Sequence, residues 1–67
     1  MKKYPTFING CWFTWIPLPG MDLSVGGNSL RIGAAVYGHN IVEGLSEVKA
    51  HQLAEKAVFE SHYRVKY

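Results

Sequence analysis

Between Ser46 and His62 lies the only stretch of this chain with a sustained helical repeat, and a lone helix can cover only one face of a small sheet. Ser46 is a fitting N-cap, and Glu47 beside it complements the positive end of the helix dipole. Ala50, Leu53, Ala54, Ala57, Val58 and Ser61 then recur along one helical face, with Lys49, Gln52, Glu55, Lys56 and Glu60 on the other. The apolar stripe is mostly alanine, so the helix can sit close against its neighbour.

The rest of the chain reads as strand and turn. Tyr4 to Ile8 and Cys11 to Ile16 flank Asn9-Gly10, the strongest short-range hairpin signal, because both turn residues need positive φ. Pro17-Leu18-Pro19-Gly20 stops the second strand. Met21 to Val25 alternates apolar with polar and reads as a short strand. Gly26 to Ser29 reads as a turn, Leu30 to Tyr37 as a further strand, and Gly38-His39-Asn40 as its break. Ile41 to Leu45 is extended or loop-like, and the alternation of Tyr63 to Tyr67 predicts a closing strand. The expected fold is α+β: two layers, a mostly antiparallel sheet of four to five strands with one helix on one face, in a single domain over residues 1–67.

Size matters for such a fold, since a chain of 67 residues buries only about 60% of its unfolded surface. Cys11 is the only cysteine, so no intramolecular disulfide is available. His39, His51 and His62 lack zinc-finger spacing, and His51 and His62 stand about 16 Å apart along a helix, too far for one metal. His51 and Glu55 make half a metal site; as an i,i+4 pair they read more simply as an exposed contact. Two Trp, four Tyr and three Phe make aromatic packing the expected substitute for a staple.

Several functions fall away on composition and spacing. A net charge of +2 does not by itself imply nucleic acid. No run of eighteen apolar residues occurs, so no membrane span is expected. Met1-Lys2-Lys3 opens like a signal peptide, but Pro5, Thr6, Asn9 and Gly10 interrupt the apolar region. Ile8-Asn9-Gly10-Cys11 loosely matches a lipoprotein cleavage site, with too short an apolar approach. A cytoplasmic location is expected. The glycines form no phosphate loop. Cys11 has no orienting acid or oxyanion loop at a recognisable spacing, so neither an enzyme nor a cofactor is expected.

Function is therefore sought on the uncovered sheet face. If Cys11, Phe13 and Trp15 pack beneath the helix, then Trp12, Arg31, Tyr37, Arg64 and Lys66 lie on the reverse. Rings there supply rigid contact area, and guanidinium groups grip carboxylates or phosphates. The hairpin could also be reversed, which would exchange Trp12 for Trp15. Phe59, with Val48, sits off the alanine stripe and reads as a sixth partner-binding residue, unless the Ile41 to Leu45 loop folds over it.

The run Ile41 to Glu47, followed by Ala50, Leu53-Ala54-Glu55 and Tyr63-Arg64-Val65, resembles a pattern of short phage proteins. In these an extended segment leads into a Ser-Glu helix start, an Ala-rich helix and a closing strand. The resemblance, to small phage-encoded inhibitors of host machinery such as CRISPR complexes or RNA polymerase, covers residues 30–67 in architecture. It implies a non-enzymatic module in the host cytoplasm that blocks a host protein or protein–nucleic acid complex by steric occlusion. The slight basicity departs from acidic DNA mimics and favours occlusion of a protein surface. Two other readings stand beside it: an RNA- or DNA-binding domain using the basic-aromatic face, and a component that homodimerises through that face.

Overall fold

The computed structural model describes residues 3–18 and 27–65, with side chains as far as His62 in the last helix. It opens with an antiparallel hairpin of β1 (Tyr4–Ile8) and β2 (Cys11–Trp15), in which Tyr4 faces Trp15 and Ile8 faces Cys11. Asn9 and Gly10 have φ of 52° and 78°, the pair of left-handed conformations that a two-residue turn of right-handed twist demands. Trp15 faces inward and is 1% exposed, whereas Trp12 points out, which decides the orientation of the hairpin.

Beyond the hairpin the fold differs from the expectation. The described residues form one two-stranded sheet and two helices, not a sheet of four to five strands with one helix. Helix α1 (Gly27–Val42) takes in the expected turn at residues 27–29, the Leu30 to Tyr37 strand, its Gly38 break and the start of the extended segment. Helix α2 (Glu47–Val65) continues through residues 63–65, where a closing strand was predicted. The expected Met21 to Val25 strand lies outside the described residues, as do Lys66 and Tyr67.

Why α1 is helical follows from what its glycines touch. Leu30, Ile32, Ala34 and Val36 alternate as a strand would. Yet Leu30, Gly33, Ala34, Tyr37 and Gly38 recur at i, i+3, i+4, i+7 and i+8, and this is the face that packs inward. A Cβ on Gly33 would overlap Val58 and lie 2.7 Å from Cζ3 of Trp15; on Gly38 it would lie 2.5 Å from Cγ2 of Thr6. Each glycine costs about 1 kcal/mol of helix propensity against alanine. Close approach of the hairpin and of α2 offsets that loss.

Both helix ends at the connection are well terminated. Gly44, at φ 96°, closes α1: the Leu45 N–H donates to the Asn40 carbonyl at 3.0 Å and the Gly44 N–H to that of Ile41 at 3.0 Å. Ser46 Oγ then accepts from the Lys49 N–H at 3.3 Å, as expected of the N-cap. The short connection folds α2 back on α1 through small side chains, with Ala50, Ala54 and Val58 fully buried. Trp15 fills the wedge between hairpin and helices, against Leu30, Ala34, Ala54 and Val58.

Candidate functional site

Trp15 also lines a cleft between the hairpin and the last helix. Its indole Nε1–H donates to Nδ1 of His51 at 2.9 Å, with the two rings tilted at 48°. An indole nitrogen only donates, so Nδ1 of His51 is the unprotonated nitrogen and the ring proton sits on Nε2. That atom faces Oε1 of Glu55 at 3.3 Å. The His51–Glu55 pair is therefore part-buried and tied to the core, not the exposed helix pair expected. With both nitrogens engaged, His51 is a strut between β2 and α2.

Around this strut opens a cleft of about 470 Å³ between the end of β2 and the start of α2. Trp15, Tyr37 and His51 form its inner wall, Glu47 and Glu55 bring carboxylates, and Thr14, Ile16 and Val48 stand at its rim. Burial pushes the Tyr37 phenol above its ordinary pKa of 10.0, and the negative charge of Glu47 adds to the effect.

An apolar strip leads into the cleft along the outward side of β2. Phe7 and Trp12 are directly opposed across the hairpin, with ring centroids 5.0 Å apart and planes tilted by 57°. They are 57% and 69% exposed. Strand alternation carries the same side on to Thr14 and then Ile16, both exposed, and Ile16 lines the cleft together with Val48. Val48 is 70% exposed and begins a helical row through Gln52 and Glu55 to Phe59, which is also exposed.

Of the six residues expected to bind a partner, the four whose side chains are described do not gather on one surface. Trp12 stands on the strip, Tyr37 in the cleft wall, and Phe59 farther along the α2 row. Arg31 lies elsewhere, lining a separate groove with Lys3, Tyr4, Pro5 and Thr6 of the β1 side. On a strand Arg31 and Tyr37 would share a face; on α1, six residues apart, they point about 120° away from each other. Arg64 falls in the last turn of α2, its side chain outside the described set, and Lys66 lies outside the described residues. Sequence reasoning placed Phe7, Ile16 and Glu47 in their elements without giving them a site role. The signal was present for Phe7, because the Asn9-Gly10 register sets it opposite Trp12.

No family model, curated protein or solved structure matches the chain. Nothing in these comparisons bears on the resemblance to phage inhibitors. Of the elements that carried it, the Ser46 cap and the alanine-rich helix are present, while Ile41, Val42 and residues 63–65 are helical rather than extended. Among the described residues no helix is long and apolar enough to cross a membrane, and no three metal-ligating side chains gather.

Proposed function

We propose that the protein is a non-enzymatic protein-binding module. Its docking surface runs from the Phe7–Trp12 pair along β2 to Ile16 and Val48. The observation carrying this reading is the aromatic pair itself, two large rings held against each other in solvent on the open side of the hairpin. As a cross-strand contact the pair contributes about 0.2–1 kcal/mol to the hairpin. Exposed Trp and Phe offer a partner far more, because each ring can bury 150–250 Å² or so with few rotatable bonds to immobilise. Commitment of both His51 nitrogens within the fold favours binding over catalysis.

A phage inhibitor that occludes a host complex would be one module of this kind, since occlusion needs only a docking face. The test is affinity capture from lysate of the cell in which the protein acts, using wild-type protein and Trp12→Ala. Trp12 makes no core contact, so the variant should fold normally and lose its captured protein by about 2 kcal/mol, roughly 30-fold. Equal capture by Trp12→Ala and by Phe7→Ala would refute the surface. Retention on nucleic acid that falls steeply with salt would favour the nucleic-acid reading instead. A doubled mass at micromolar concentration, lost in Trp12→Ala, would identify the partner as a second copy.

A further inference from the structure

Accepting that docking reading, we infer that the cleft between β2 and α2 receives a lysine or arginine side chain projecting from an apolar segment of the partner. The lining brings Glu47 and Glu55 to one opening, and among the described residues it contains no Lys or Arg. This acidity is local, because the chain as a whole carries a formal charge of +2. His51 does not cancel it: the indole of Trp15 holds Nδ1 as an acceptor, which leaves the ring neutral. Glu55 retains lone pairs beyond the one facing Nε2 of His51, since a carboxylate offers about four acceptor sites.

Tyr37 stands on the same inner wall as Trp15 and His51 and senses Glu47. Its phenol pKa is raised by burial first and by the charge of Glu47 second, and only the second of these causes favours a cation at this wall. The positive end of α2 partly offsets Glu47, in the first helical turn. Glu55, two turns farther along, is free of that effect and is the stronger anchor. Apolar groups complete the fit. Ile16 and Val48 at the rim suit the methylene stem of a long basic side chain, which buries its carbons while its head seeks charge. The same two residues end the docking strip, so a basic residue beside apolar ones in the partner engages strip and cleft together.

The test uses the full chain and three peptides: acetyl-Leu-Lys-Leu-amide and its counterparts with norleucine or glutamate at the centre. Binding is followed by NMR through the indole N–H of Trp15 and the ring protons of His51, which report from the cleft wall. The lysine peptide should shift both signals saturably and bind at least about tenfold more tightly than the norleucine peptide, with the glutamate peptide weakest. Glu55→Gln should remove most of that preference, and Glu47→Gln part of it. Both keep the size of the side chain, and an undisturbed Trp15 indole signal in the free variant confirms the fold. Equal affinity for the lysine and norleucine peptides would overturn the inference, as would a lysine preference that survives both substitutions. So would the absence of any saturable shift up to about 5 mM, where even a contact worth 3 kcal/mol or so would begin to register. The docking reading fails separately: partner capture that depends on Trp12 but ignores Glu47→Gln and Glu55→Gln keeps the strip and removes the cleft. Capture indifferent to Trp12 removes the strip itself.

Discussion

Placing alanine at Gly33 tests the packing that makes this fold possible. Helix propensity alone favours the change by about 1 kcal/mol. Packing opposes it. The new methyl would overlap Val58 and lie 2.7 Å and 2.9 Å from two ring carbons of Trp15. Neither neighbour can yield easily, for Val58 is fully buried and Trp15 is held by its bond to His51. Overpacking of this kind costs about 1–3 kcal/mol, and with rigid neighbours the upper end applies. The net loss is then about 2 kcal/mol, which in a domain of this length lowers Tm by roughly 8–16 °C. Gly38→Ala is the informative comparison. Its methyl meets Cγ2 of Thr6 and Cδ1 of Ile8, side-chain ends on a two-stranded hairpin that can shift outward, so the loss should be smaller. Gly27→Ala meets nothing within 4 Å and should be neutral or stabilising. Thermal unfolding followed by circular dichroism ranks the three variants. If Gly33→Ala melts at or above the wild-type temperature, the close approach of Trp15, α1 and α2 is not what determines stability.

Further expectations concern single contacts. His51→Ala leaves the buried indole N–H of Trp15 without its acceptor and should cost about 1–3 kcal/mol in urea unfolding; recovery by a second acceptor, as in His51→Gln, would assign the loss to that bond and not to volume. Because the folded protein holds the Tyr37 phenol protonated above the ordinary 10.0, the unfolded chain ionises first as pH rises. Stability should therefore fall as pH rises through 10.0 toward the folded-state pKa, and wild type minus Tyr37→Phe in unfolding at successive pH values isolates that slope. Ser46→Ala should destabilise the protein by about 1 kcal/mol through loss of the α2 cap, with Ser46→Asp retaining it.

What could be read from the sequence depended on whether local chemistry and tertiary packing agreed. They agree at the hairpin: Asn9-Gly10 demands the turn, the turn sets the register, and the register separates Trp15 from Trp12. They agree again at α2, whose cap and alanine stripe are local signals, although its last turn was hidden by the alternation of residues 63–65. At α1 they conflict. Ile32, Val36 and Tyr37 favour a strand, and Gly33 and Gly38 look like interruptions, so local preference argues for a sheet that the molecule does not build. Those glycines have meaning only beside Trp15, Val58 and Thr6, partners distant in sequence.

The helical turn of α1 also redistributes the candidate site residues. Strand geometry gathered Arg31 and Tyr37 on one face with Trp12; helix geometry sends Arg31 to the β1 groove and turns Tyr37 toward Glu47 and His51. Removing the basic residue from the aromatic surface reverses the chemistry inferred for a partner. A basic-aromatic sheet would have sought phosphates or carboxylates. The folded chain instead offers an apolar strip that ends beside two carboxylates and the Tyr37 phenol. On the reading proposed above, a partner docked there would bring a basic residue to Glu47 and Glu55. The salt response follows: ionic strength should weaken the contact made by the partner's basic residue while leaving the Phe7–Trp12 contact largely intact.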